Sequence, residues 1–256
     1  YYGLDEETGT VFYHSVENGT INRYIYRINL NGKNKVRLSQ STGTSNATFS
    51  PNFQYYINTF SSTTEPTVYT LNDAKTGKQV QSIVNNDALA EKLKAYNLPK
   101  KEFFVLKTEK GNELNAWIIK PKDFDANKKY PVFMYKYSGP GSQQVNNDWN
   151  GNDDYWFMML TQQGYIVACV DGRGTGFKGA AFKKCTQLEL GKYEVQDQID
   201  AAKVIGNYAY VDKSRIGIFG WSYGGFMASN CIFQGNDVFK TAIAVAPVTS
   251  WRFYDS

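Results

Sequence analysis

The spacing of apolar and polar positions changes character near residue 100. Before it, apolar residues come in short β-prone runs separated by turn residues. Thr10–Ser15 and Asn22–Ile28 flank a Glu17-Asn18-Gly19 turn. Asn31-Gly32 marks a second turn, and Ala47–Pro51, Tyr55–Phe60 and Thr67–Leu71 follow. Each run reads as one strand of a hairpin. Leu89, Leu93 and Tyr96 then share a helical face, which predicts a short helix over Asp87–Tyr96 ending ahead of Pro99. This helix reads as the linker between two halves. Beyond it, Phe103–Thr108 and Leu114–Ile119 predict an antiparallel pair around Lys110-Gly111-Asn112. Val132–Tyr137, Ile166–Val170, Arg215–Gly220 and Thr241–Ala246 are nearly continuous apolar strands. Helical stretches separate them: Asp154–Gln163 with Gly164 as its C-cap, Glu194–Gly206 with Val195, Ile199 and Ala202 on one face, and a third from Tyr223 onward. Strands that are apolar throughout and alternate with helices imply a mostly parallel sheet with helices on both faces.

The first half resembles the blades of a β-propeller. A four-stranded blade takes about 40–45 residues, so residues 1–100 hold about two blades, read as the terminal ones, plus the linker. Residues 101–256 form the second domain. Composition adds exclusions. Hydrophobic residues make up 42% and charged residues 20%, as in a folded globular protein. The net charge of +4 is spread, with no basic run longer than Lys100-Lys101 or Lys128-Lys129, so no nucleic-acid partner is expected. Cys169, Cys185 and Cys231 match no zinc or redox spacing, so neither metal nor cofactor is expected. No apolar run approaches the roughly 20 residues of a membrane span. The chain opens on Tyr1 without an initiator methionine or a signal-peptide pattern, so its natural start is expected to have been removed.

Gly220-Trp221-Ser222-Tyr223-Gly224 fits the Gly-x-Ser-x-Gly nucleophile elbow, and its context fits too. An apolar strand enters it and a small-residue helix leaves it. The serine must sit on a tight strand-to-helix turn to present its hydroxyl, and a β-carbon at either flanking glycine would crowd that turn. The helix start beneath offers unbonded N–H groups, that of Tyr223 being the expected oxyanion donor. With the parallel sheet, this makes the second domain an α/β-hydrolase fold. A serine needs a base, and the order in this fold is serine, acid, histidine. The single histidine, His14, lies far upstream and reads as a blade residue. Asp237 and Asp255 come too soon after the serine to be the triad acid. The triad acid and histidine are therefore expected beyond Ser256, with this chain an inactive piece of a longer protein. An open sheet edge should make that piece less stable and prone to associate.

Further motifs resemble the dipeptidyl peptidase IV family of serine peptidases, in the prolyl oligopeptidase group and of bacterial type. Besides Gly220-Trp221-Ser222-Tyr223-Gly224-Gly225, these are Tyr137-Ser138-Gly139-Pro140-Gly141-Ser142-Gln143, Asp171-Gly172-Arg173-Gly174-Thr175-Gly176, Glu194-Val195-Gln196-Asp197-Gln198, and Ala244–Val248 with Trp251–Ser256. All five lie in order within residues 130–256. The resemblance implies that Ser222 is acylated, that the Tyr137 hydroxyl joins the Tyr223 N–H as oxyanion donor, and that Tyr223, Val248, Trp251 and Tyr254 wall a small apolar pocket. A compact proline or alanine side chain before the scissile bond would fill that pocket. It further implies an exopeptidase releasing N-terminal dipeptides or tripeptides, a homodimeric parent, and a periplasmic or extracellular location. The family's paired glutamates for the substrate amino terminus have no counterpart segment here, so peptide length stays open. Asp171–Gly176 lacks phosphate-loop spacing and reads as a tight loop that Arg173 orders. Two alternatives stand beside this reading: another α/β-hydrolase, such as an acylaminoacyl peptidase or an esterase, and a catalytically dead relative that only binds.

Overall fold

The computed structural model describes residues 1–254. The chain divides into two compact units: Tyr1–Leu98 with Asn146–Gly151, and Pro99–Val145 with Asn152–Ser256. The first holds two four-stranded antiparallel sheets, each with its strands in chain order. One is β1 (Gly3–Asp5), β2 (Thr10–Ser15), β3 (Tyr24–Asn29) and β4 (Val36–Arg37). The other is β5 (Thr44–Phe49), β6 (Tyr55–Ser62), β7 (Glu65–Asp73) and β8 (Gln79–Val84). Helix α1 (Asp87–Tyr96) follows, with no buried residue. The two sheets are joined by a bridge between Arg23 and Thr44. They share one core, in which Phe12 and Ile25 of the first meet Tyr56 of the second, with Leu38 and Ala74. Phe12 stacks on Phe53 at 5.2 Å and meets Phe49 at 4.6 Å. Two meandering sheets burying one face against each other are propeller blades.

Three strands have no counterpart in the sequence pattern. β1 and β4 are too short to show a period, and β8 is exposed along its whole length, so alternation carries no signal there. The strand expected at Ala47–Pro51 runs instead over Thr44–Phe49, because Thr44 and Ser45 are buried polar positions that an apolar pattern misses. Asn146–Gly151 completes this unit through polar contacts. The Asn147 N–H donates to the Ile21 carbonyl at 2.8 Å. The Thr44 hydroxyl donates to the Asn147 carbonyl at 3.0 Å, and the Thr63 N–H donates to Asn147 Oδ1 at 3.0 Å.

The second unit is built on β9 (Glu102–Lys107), β10 (Glu113–Ile119), β11 (Tyr130–Tyr135), β12 (Ile166–Asp171), β13 (Val211–Trp221) and β14 (Thr241–Val245). Its helices are α2 (Asn152–Gln162), α3 (Ala180–Lys184), α4 (Tyr193–Gly206) and α5 (Tyr223–Gln234), followed by a 3-10 turn at Trp251–Phe253. The sheet order is β14-β13-β11-β12-β10-β9. The β9–β10 and β10–β12 pairs are antiparallel and the other three are parallel. Strand alternation separates two faces. Val132, Met134, Ile216 and Ile218 lie in the core with Val195, Ile199, Ala202 and Ile205 of α4 and Met227, Ala228 and Cys231 of α5. Phe133, Tyr135 and Phe219 point the other way, to Trp156 and Phe157 of α2. This is the α/β-hydrolase arrangement.

Tyr137 was expected to end a strand, but β11 stops at Tyr135. The Lys136 N–H still bonds the Phe219 carbonyl at 3.0 Å, and the chain then turns through Ser138 at a φ of 62°. Among the described residues β14 pairs only with β13, and Ile243 and Val245 are exposed. Removing the ring that joins the two blades tests their shared core. Phe12→Ala should cost about 3–5 kcal/mol, read from the urea midpoint of the unfolding transition of the first unit.

Candidate active site

Ser222 sits between β13 and α5 with φ 56° and ψ −115°, a conformation that L-residues hold only under compulsion. The surrounding backbone supplies it. A β-carbon on Gly220 would lie 2.3 Å from the Gly224 carbonyl oxygen, and one on Gly224 would lie 2.5 Å from that of Lys136. One on Gly225 would lie 2.8 Å from the Val245 oxygen. The Ser222 N–H donates to that same Val245 oxygen at 2.9 Å. The end of β14 therefore holds the turn from one side and the end of β11 from the other.

The six residues expected at the site, Tyr137, Ser222, Tyr223, Val248, Trp251 and Tyr254, all line one cavity of about 360 Å³. The sequence reading did not assign Gly139, Pro140 or Leu190 to it, and all three also line it. Leu188 and Leu190 stand two apart in a polar stretch, a spacing that gives no sign of which one enters a pocket. Aromatic contacts fix the cavity wall. Tyr223 and Trp251 lie 5.4 Å apart, Phe226 and Trp251 5.2 Å, and Trp251 and Tyr254 5.4 Å. Asp255 and Ser256, which complete the motif expected to build this pocket, lie outside the described residues.

Helix α4 holds this wall from behind. The Tyr223 hydroxyl donates to Glu194 Oε1 at 2.6 Å, and the other Glu194 oxygen accepts the Gly191 N–H at 3.1 Å. Glu194 is fully buried. Burial first, and then the Glu194 carboxylate, push the Tyr223 phenol well above its ordinary pKa, so it stays a donor. One turn on, Asp197 accepts the Arg173 N–H at 2.7 Å and its guanidinium at 2.7–3.1 Å. That pair fixes the Asp171–Gly176 loop. The loop in turn bonds the Tyr137 loop, since the Gly141 N–H donates to the Gly174 carbonyl at 2.8 Å and the Gly176 N–H to the Ser142 carbonyl at 2.8 Å. Arg173 therefore orders both loops through α4. Asp171 is buried and accepts the N–H groups of Gln144 and Val145 at 2.9 and 2.8 Å. Burial outweighs these bonds and raises its pKa to about 6.

Lys136 was not singled out from the sequence. It is fully buried behind the elbow and donates to the Gly224 carbonyl at 3.1 Å. Burial lowers its pKa to about 8. His14 is on β2 in the first unit, in ring contact with Tyr2 at 5.6 Å, and burial depresses its pKa. No group of residues arranged to hold a metal occurs among the described residues. No helix among them is long and apolar enough to cross a membrane.

Residues 152–256 match the prolyl oligopeptidase family, and residues 1–67 match the dipeptidyl peptidase IV N-terminal region. The crystal structure of Porphyromonas gingivalis dipeptidyl peptidase 4 superposes with a TM-score of 0.95 at 50% identity, covering 99% of this chain and 35% of that one. The chain belongs to the dipeptidyl peptidase IV family. The dipeptidyl peptidases 4 of Trichophyton equinum and Trichophyton rubrum are each 36% identical over 258 residues, covering 99% of this chain and 33% of theirs. The chain thus spans about a third of the length of the curated relatives it matches. Within this dipeptidyl peptidase IV family chain, the N-terminal-region match falls in the first unit and the whole of the prolyl oligopeptidase match in the second.

The buried lysine has a measurable consequence. Its ammonium loses its proton near pH 8 in the folded chain and near 10.5 in the unfolded chain, so the unfolded chain binds more protons between those values. Stability from this group therefore rises as the pH goes from 8 to 10.5. Below pH 8 it costs about 3 kcal/mol to keep the charge buried. Lys136→Met should raise stability at pH 7 by about 1–3 kcal/mol in urea titrations, with the gain shrinking at pH 10.

Proposed function

We propose that this chain carries the nucleophile and the specificity pocket of a serine exopeptidase that releases N-terminal dipeptides after proline or alanine. The observation that carries the reading is Ser222, held in a strained turn at the mouth of an aromatic cavity at the start of α5. Its Oγ attacks the carbonyl carbon of the scissile bond, forming the acyl-enzyme as the amine leaves. The resulting oxyanion takes hydrogen bonds from the Tyr223 N–H and the Tyr137 hydroxyl. Both donors are preorganised, the first by the elbow and the second by Gly139, whose missing β-carbon would lie 2.5 Å from the Tyr137 ring.

The preference for proline follows from shape. The walls from Tyr223, Val248, Trp251 and Tyr254 leave an apolar slot suited to a ring that has no N–H to satisfy. Alanine fits with less contact. The dipeptide length rests on the names of the relatives, because the groups that would bind the substrate amino terminus lie outside the site described. The reading assigns the general base, which takes the Ser222 proton and passes it to the leaving amine, to an imidazole outside the described residues. The full-length protein is the unit that turns over.

Intact mass after exposure to a fluorophosphonate serine probe tests this on the full-length protein. A single adduct should form and be absent in Ser222→Ala. A folded protein that takes no adduct would sink the serine-peptidase reading. Tyr137→Phe removes one oxyanion donor and should lower kcat about 10²–10³-fold on a dipeptidyl chromogenic substrate, with KM little changed.

A further inference from the structure

A second cavity, of about 210 Å³, is lined in part by Trp221, the residue before the nucleophile, and shares no lining residue with the first. Alternation along β13 turns Phe219 and Trp221 to one side of the sheet, with Tyr135 of β11, whereas Tyr137 and Ser222 lie past the ends of those strands where the chain turns away. Tyr137 and Ser222 border the first cavity, whereas Tyr135 and Trp221 border the second. Phe219, Trp156 and Phe157 complete its aromatic wall, with Trp156 and Phe219 edge to face at 5.2 Å. Trp221 is 63% exposed although it precedes the nucleophile directly, so its indole is presented to solvent rather than spent on the core. One charged residue, Asp153 in the first turn of α2, joins these rings.

The chemistry of this wall is one-sided. Aromatic faces carry negative potential and attract cations, and a carboxylate adds to it. No cation among the described residues pairs with Asp153. Its neighbour Asp154 is held by Lys101 at 2.6 Å, so the two acids of that turn differ in kind. The field of Asp153 also enters the cavity. The Tyr135 phenol is pushed above its ordinary pKa by burial first, with Cys169 and then Asp153 adding to it. An acid in the first turn of a helix gains from the helix dipole, but that accounts neither for the rings around it nor for the exposed indole.

We propose that this cavity is a subsite for a cationic side chain, lysine or arginine, on the leaving-group side of the scissile bond. The proposal rests on the serine-peptidase reading of Ser222. With the residue before the bond in the first cavity, the chain beyond the bond passes Trp221. A basic side chain there lays its stem on the indole and its charge between the rings and Asp153. The subsite selects among substrates by their second half and leaves the acylation chemistry untouched.

The test uses the full-length protein and peptides Ala-Pro-Lys-Gly and Ala-Pro-Gly-Lys, each beside its norleucine counterpart. At one of the two positions, kcat/KM should favour lysine by about three- to thirty-fold. Asp153→Asn should bring that ratio close to one, and Asp153→Lys should turn it in favour of norleucine. Hydrolysis of Ala-Pro-p-nitroanilide, which has no residue beyond the bond, should be the same in all three proteins. A ratio near one at both positions in the unaltered protein, or a ratio that survives in Asp153→Asn, would overturn the subsite. Failure to cleave the anilide as well would overturn the peptidase reading instead.

Discussion

Everything at the site depends on how closely three backbone segments approach one another beneath Ser222. The carbonyl of Lys136 lies against Gly224, that of Gly224 against Gly220, and that of Val245 against Gly225. No side chain fits between any of these pairs. The serine is therefore held at φ 56° by the ends of β11 and β14 together, and not by its own preference. Such strain, of the order of 1–3 kcal/mol, persists only where the surroundings over-determine the conformation. The parallel sheet is what brings the three segments to one place.

Helix α4 extends this constraint from a point to a surface. Its residues Glu194 and Asp197 lie one turn apart on the same face and are fully buried. One holds the Tyr223 ring in the wall of the pocket, and the other holds Arg173 and through it the loop that bonds the Tyr137 loop. The Asp197 pair is desolvated on the carboxylate side and bidentate, so breaking one partner strands a charge. Nucleophile, pocket wall and oxyanion loop thus share one support. A helix whose charged residues face inward is carrying polar connections that the core alone cannot make.

The sequence made the fold legible where burial was regular. The apolar strands β11, β12, β13 and β14 and the elbow were readable because each has a continuous or periodic signature. β8 was not, since a strand exposed along its whole length has no period to detect. The pocket residues Val248, Trp251 and Tyr254 became candidates through resemblance, because spacing alone gives an aromatic no direction. Lys136 was invisible for a different reason. A lysine near the end of an apolar strand ordinarily reads as reaching water, and only the packing shows it turned inward to Gly224. Asp153 was hidden the same way, as one of two adjacent acids opening a helix.

The short segment Asn146–Gly151 bears on how the molecule comes into being on the ribosome. The blade strands are complete once Val84 has been made, yet Thr44, Ser61 and Thr63 find their partners in Asn147 and Trp149. At about 5–20 residues per second, the first unit waits about 3–13 s for those partners to be synthesised. During that interval β9, β10 and β11 have also been made. Nascent blades therefore have to tolerate unsatisfied polar groups while the next sheet begins to form. Because the first unit is discontinuous in the chain, it is finished only after part of the second has been made.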